Sequence, residues 1–126
     1  MVHIHKLRDS FKYAWRGVRI VFRDEQNFRI QLALAILVLL VAILIDLPSW
    51  KIIVLLLVSA FVLILELVNS IFERLLDAFR PRVHQYIEEM KDIMAAAVLM
   101  ASIGAVVIGL IIFWPDLANS FSWVLG

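Results

Sequence analysis

Glu66, Asn69, Glu73 and Asp77 follow one another at intervals of three, four and four residues. At about 3.6 residues per turn, that spacing sets all four on one narrow face of a helix. Carboxylates and a carboxamide so aligned offer the hard oxygen donors that a divalent cation takes. Glu66 comes directly after the apolar run of residues 52 to 65, so its carboxylate belongs at the edge of a membrane. Partial loss of water there suits it to accept a proton. A base one and two turns from a cation site is equipped to deprotonate a hydroxyl beside a bound, charged group. The same spacing also fits a solvated helix face emerging from a bilayer, which accounts for Glu73 and Asp77 more easily than for Glu66 and Asn69. The four residues alone do not decide between these readings.

Further charged residues fall close by. Asp24 and Glu25 lie just before the first long apolar run, and Lys91 and Asp92 just before the last. Charges flanking membrane helices are common anchors, and each pair taken singly fits that role. Taken together, helices ending at one interface would gather Glu25, Glu66, Glu73 and Asp92 near a lysine and the lipid headgroups. His3, His5 and His84 lack the i, i+4 pairing or acidic company of a metal site and read as surface histidines. No glycine-rich phosphate loop or protein-kinase signature is present, so any nucleotide must be held by side chains and metal. Ser59 and Ser102, inside apolar runs, are expected to bond to the backbone or across helices.

The elements that must position these groups are set by composition. The chain has 126 residues, enough for one domain, 63% of them hydrophobic, with a mean hydropathy of +0.95. That exceeds the apolar share of soluble domains. Nearly all the charge falls in residues 6 to 29 and 66 to 92, and the net charge is only +1, which argues against nucleic acid as a partner. No cysteine is present, excluding disulfides and thiolate chemistry. The first apolar run begins at Ile30 without a small-residue cleavage site after it, so it is expected to stay in the mature protein.

Within residues 1 to 24, Ile4, Leu7, Phe11, Trp15, Val18 and Phe22 recur at helical spacing with basic residues between them. This predicts a basic amphipathic helix lying in the interfacial plane. Three membrane helices follow over residues 28 to 47, 50 to 80 and 91 to 114, each near the ~20 residues needed to span or longer. Ser49 is expected to cap the second, Pro81 to end it, and Pro115 to end the third, leaving 115 to 126 as an outer tail. Residues 1 to 29 hold seven Lys and Arg and residues 66 to 92 hold four, against Lys51 alone in the intervening turn. Positive charge is retained inside, so the amino terminus is expected in the cytoplasm and the carboxyl terminus outside. Trp50 and Trp114 then share the outer interface. Ala97, Ala101, Ala105 and Gly109 form a small-residue face that would let another helix approach closely.

The string from Glu66 through Asn69, Ser70 and Glu73 to Asp77 closely resembles the signature of the prokaryotic diacylglycerol kinase and undecaprenol kinase family. Lys91-Asp92 followed by Ala95, Ala96, Ala97 and Val98 is similar to its second motif, and Trp15-Arg16-Gly17 through Glu25, Asn27, Phe28 and Arg29 to its amino-terminal region. The likeness runs from about residue 6 to residue 115. Ile71, Phe72 and Met94 stand where the family usually has smaller residues. The resemblance implies an all-α membrane protein that assembles as a homotrimer in the bacterial inner membrane. It implies transfer of a phosphoryl group from ATP, with Mg²⁺, to the hydroxyl of diacylglycerol or undecaprenol. It also implies roles: Glu66 as catalytic base, Glu25 and Glu73 as Mg²⁺ ligands, and Asn69, Glu73, Lys91, Asp92, Trp15 and Arg16 as contacts of the metal-bound nucleotide. A non-catalytic assembly protein and a proton conduit through Glu66 are the competing readings of the residues themselves.

Overall fold

A computed structural model describes residues 1–79 and 84–126. These residues form four helices in chain order, α1 (Ile4–Asp24), α2 (Gln26–Leu44), α3 (Ser49–Phe79) and α4 (His84–Leu125). Among the described residues there is no strand. α2, α3 and α4 are each long and apolar enough to cross a membrane, whereas α1 carries the basic amphipathic pattern and leaves Leu7, Phe11 and Trp15 exposed along one stripe. The chain is an all-helical integral membrane protein with one surface helix and three candidate spans.

α3 packs on both α2 and α4 and is the central helix of the set. Because α2 and α4 meet α3 on different sides, a groove of about 630 Å³ opens between them, floored by Leu55, Val58 and Val62 of α3. Gln31 and Ser102 bridge it: the Gln31 amide donates to Ser102 Oγ at 3.0 Å, and Ser102 Oγ donates to the Val98 carbonyl at 2.9 Å. The expectation for Ser102, a bond to backbone or across helices, is met in both forms. At the opposite end Ala42, Leu47, Leu55 and Ile112 are buried together. No atom outside its own helix comes within 4 Å of where a Cβ on Gly109 would stand. Together with Ala105, Gly109 borders the groove, so at Gly109 the small-residue face has no close helix contact among the described residues.

The turn between α2 and α3 is built on Asp46, whose φ of 58° is left-handed. Aspartate tolerates that region better than branched residues do. The Asp46 amide bonds the Ile43 carbonyl at 3.1 Å and the Leu47 amide bonds that of Ala42 at 3.0 Å, closing α2 with a paired C-terminal cap and driving Leu47 into the buried cluster. Ser49 is the first residue of α3 rather than its cap, and the Pro48 carbonyl accepts from the Lys51 and Ile52 amides.

Two boundaries differ from the sequence reading. Residues 84 to 92 are helical, so the polar connection before the third span is the first part of α4. Pro115 lies inside α4, which continues to Leu125. Proline withdraws the amide that would have bonded the Ile111 carbonyl, but Lys51 Nζ donates to the next carbonyl, that of Ile112, at 3.3 Å. Support from α3 at the weakened turn lets the helix run on. That bond also brings the start of α3 beside the turn that carries Trp114, placing Trp50 and Trp114 at one end of the molecule. The expected stop at Pro81 falls outside the described residues.

Candidate active site

The site grows from the break between α1 and α2. Glu25 takes extended geometry there, with φ −109° and ψ 110°, so the chain turns from the surface helix into the first span within a single residue. Arg29 secures the turn: its guanidinium donates to the Phe22 and Arg23 carbonyls, both at 2.8 Å. These are carbonyls of the last turn of α1, which have no helical partner of their own.

Glu25 is thereby aimed at the middle of α3. Ser70 Oγ, fully buried, donates to Glu25 Oε1 at 3.1 Å. One turn earlier Glu66 is 4% exposed, and the carboxylates of Glu25 and Glu73 lie close enough to repel it electrostatically. The Asn69 amide donates to Glu73 Oε1 at 3.3 Å, which fixes both side chains toward the same side of the helix. Three carboxylates therefore come together at the head of the apolar segment, with Ser70 donating to Glu25 and Asn69 to Glu73. Such a cluster is costly without a cation to neutralise it.

The donor set is of the kind that Mg²⁺ takes, because carboxylate oxygens from Glu25 and Glu73 approach from two elements. Among the described residues no three His, Asp or Glu side chains form a ready cage for a metal. A Mg²⁺ ion here would complete its shell with phosphate oxygens and water, as it does wherever it arrives with a nucleotide.

The remaining expected residues are more dispersed. Lys91 Nζ is paired with Asp77 Oδ1 at 2.5 Å, which ties the start of α4 to the end of α3. Asp92 is exposed beside it. Trp15 and Arg16 are exposed on α1, away from the carboxylate cluster in this chain. Two residues that carry the geometry were not singled out by their spacing. Arg74 bonds both Ser70 and, at 2.9 Å, Asp24 Oδ2, and Arg29 caps α1. An arginine eight residues after Glu66, on the flank of an acidic face, is the signal that could have drawn notice to the first, though not to its partners. Asp24 is held below the usual carboxylate range, first by its bond to the Arg23 guanidinium, with Arg74 adding to the effect.

A buried glutamate at the membrane edge, joined by two further carboxylates from α1–α2 and α3, agrees with the sequence signature that the same residues spell. The sequence profile for prokaryotic diacylglycerol kinase matches residues 12–113. The chain belongs to the prokaryotic diacylglycerol kinase family. It is 38% identical over 111 residues to the diacylglycerol kinase of Synechocystis, covering 87% of this chain and 63% of that longer protein. It is 34% identical over 116 residues to the undecaprenol kinase of Bacillus subtilis, covering 90% of this chain and 93% of the relative. The diacylglycerol kinase of Escherichia coli K12 is 30% identical over 102 residues, covering 81% and 84%. Glu25, Glu66, Asn69, Glu73, Lys91 and Asp92 all lie inside the family match. The segment after Phe113 lies beyond it.

Proposed function

We propose that this chain is a lipid kinase that transfers the γ-phosphoryl group of MgATP to the hydroxyl of a membrane lipid alcohol, diacylglycerol or undecaprenol. The observation that carries the reading is Glu66: a carboxylate buried at the head of a membrane helix and faced by Glu25 and Glu73. In the reaction the lipid hydroxyl oxygen bonds to the γ-phosphorus, the bond from that phosphorus to the β,γ-bridging oxygen breaks, and ADP leaves with the electron pair. Glu66 takes the hydroxyl proton. Glu25 and Glu73 hold Mg²⁺, which neutralises phosphate charge when bound. Asn69 orients Glu73 and, with Lys91, Asp92, Trp15 and Arg16, contacts the metal-bound nucleotide. Transfer of this kind needs mainly positioning and charge neutralisation, which a rigid carboxylate cluster provides.

The reaction plane is the cytoplasmic face of the bacterial inner membrane, where ATP and a lipid hydroxyl can meet. The groove between α2 and α4 opens from this level toward the other face and suits an apolar occupant. The working form is a homotrimer with sites shared between neighbouring subunits, which brings Trp15 and Arg16 of one chain toward the carboxylates of another.

Purified protein in bilayers, given ATP and Mg²⁺ with diacylglycerol, with undecaprenol or with neither, tests the proposal. Formation of a phosphorylated lipid that depends on Mg²⁺ is the expected result, and the faster substrate identifies the lipid. No phosphorylated product from either lipid would overturn the proposal and leave a membrane assembly role, while proton flux lost in Glu66→Gln would assign a conduit.

A further inference from the structure

Arg74 does not belong to the acidic face on which the kinase reading rests, yet it links more of the site than any other side chain. It stands one turn beyond Ser70 and two beyond Glu66 on α3. Its Nη1 donates to Ser70 Oγ, and its Nη2 donates to Asp24 Oδ2 at 2.9 Å. Ser70 in turn donates to Glu25 Oε1 at 3.1 Å. One planar guanidinium therefore grips the α1–α2 junction at two consecutive residues, Asp24 directly and Glu25 through a buried hydroxyl. By donating to one Ser70 lone pair it favours the hydroxyl rotor position that points the hydrogen at Glu25.

We infer that Arg74 is a positioning residue that sets the Glu25 carboxylate for its cation through Ser70. This rests on the proposed role of Glu25. The chain itself explains why such a clamp is needed. Glu25 sits in an extended break between two helices; its amide bonds the Val21 carbonyl at 2.8 Å and its carbonyl accepts from the Arg29 amide at 3.3 Å, so the backbone is held and the direction of the side chain is what remains to be set. The buried Glu66 carboxylate of α3 and Glu25 repel each other. Arg74 supplies the opposing pull from α3 and donates in a fixed fork that lysine lacks. Its side chain is 44% exposed, so its contribution lies in orientation more than in buried charge. Partners that orient a metal ligand typically change metal affinity or activity by about 10- to 100-fold when removed.

The test compares wild type, Arg74→Ala, Arg74→Lys and Asp24→Asn as full chains in bilayers. Mn²⁺ binding is followed by electron paramagnetic resonance in the presence of a non-hydrolysable ATP analogue, alongside the Mg²⁺ dependence of turnover and the thermal unfolding midpoint. Arg74→Ala is expected to weaken Mn²⁺ binding by about tenfold or more and to raise the Mg²⁺ concentration for half-maximal turnover in parallel. Arg74→Lys, which keeps the charge but cannot span both partners, should fall between. Asp24→Asn should produce a smaller shift and add nothing to Arg74→Ala. Arg74→Ala that lowers the unfolding midpoint and turnover at every Mg²⁺ concentration, with Mn²⁺ binding unchanged, overturns the inference in favour of a merely structural clamp. Should Arg74→Ala fail to fold, an unshifted Mn²⁺ affinity in Arg74→Lys overturns it equally. A wild-type chain that binds Mn²⁺ but phosphorylates no lipid would sink the kinase reading instead, and the two failures are thus distinct.

Discussion

Glu66 and Glu73 lie on one face of α3, seven residues apart, and the proposed mechanism gives them different work. Glu66 is 4% exposed and faced by the carboxylates of Glu25 and Glu73, which suits the proton acceptor of the proposed reaction. Glu73 is half-buried and held by Asn69 at 3.3 Å, which suits a fixed ligand. Glu66→Gln is therefore expected to cut lipid phosphorylation by roughly 10² to 10⁴ with MgATP binding nearly intact, because base catalysis commonly contributes that much. Glu73→Gln should weaken MgATP binding and turnover together. Titration of nucleotide binding and turnover in each variant checks the division, and near-normal phosphorylation by Glu66→Gln would remove the base. The acidic face was legible in the sequence because helical spacing alone aligns it. The role of Arg74 was not, since its partners Asp24 and, through Ser70, Glu25 lie about fifty residues away in sequence and meet it only when α1, α2 and α3 pack.

At the scale of the elements, three spans and a surface helix follow from apolar runs of sufficient length, and their ends depend on local chemistry that composition does not report. The α2–α3 turn is held by a non-glycine residue at φ 58°, a conformation that costs an L-residue roughly 1 to 2 kcal/mol. Asp46→Gly should remove most of that cost and raise the unfolding midpoint, whereas Asp46→Val should lower it; thermal unfolding in detergent reads both. α4 teaches the converse lesson. Pro115 reads as a stop, but a proline in a membrane-length helix is tolerated where neighbours satisfy the freed carbonyls, and Lys51 donates into that turn. The aligned Ala105 and Gly109 likewise read as a contact face, and the chain leaves them bordering a groove. The Cβ of a leucine at Gly109 meets no described atom within 4 Å outside its own helix, and the rest of the side chain has the groove to enter, so the fold should survive Gly109→Leu. If a neighbouring subunit uses this face, the oligomer should dissociate more readily in detergent, as sedimentation would report. Unchanged assembly with slower lipid turnover would give the groove to a lipid tail instead.

For the whole molecule, the carboxylate cluster at one end and the Trp50–Trp114 pair at the other define an axis, and the proposed kinase function requires the cluster to face ATP. Eleven Lys and Arg lie in residues 1 to 29 and 66 to 92, while Lys51 is the single one at the tryptophan end. Retention of positive charge on the cytoplasmic side makes the proposed orientation, carboxylates inside and tryptophans outside, the one this imbalance favours. The length of α4 bears on the same question: at about 1.5 Å per residue its 42 residues run to ~63 Å, roughly twice the apolar thickness of a bilayer. It must therefore project from the membrane, and the polar residues of 84 to 92 mark one end that does so. Because the natural chain has no cysteine, single cysteines report position without background. A cysteine at Ser49, in the turn beside Trp50, should react with an impermeant thiol reagent added outside intact cells. One at Gln85, at the start of α4, should react only after the membrane is opened. Labelling in the reverse pattern would put the carboxylates of Glu25, Glu66 and Glu73 on the side without ATP and would be incompatible with the kinase reading.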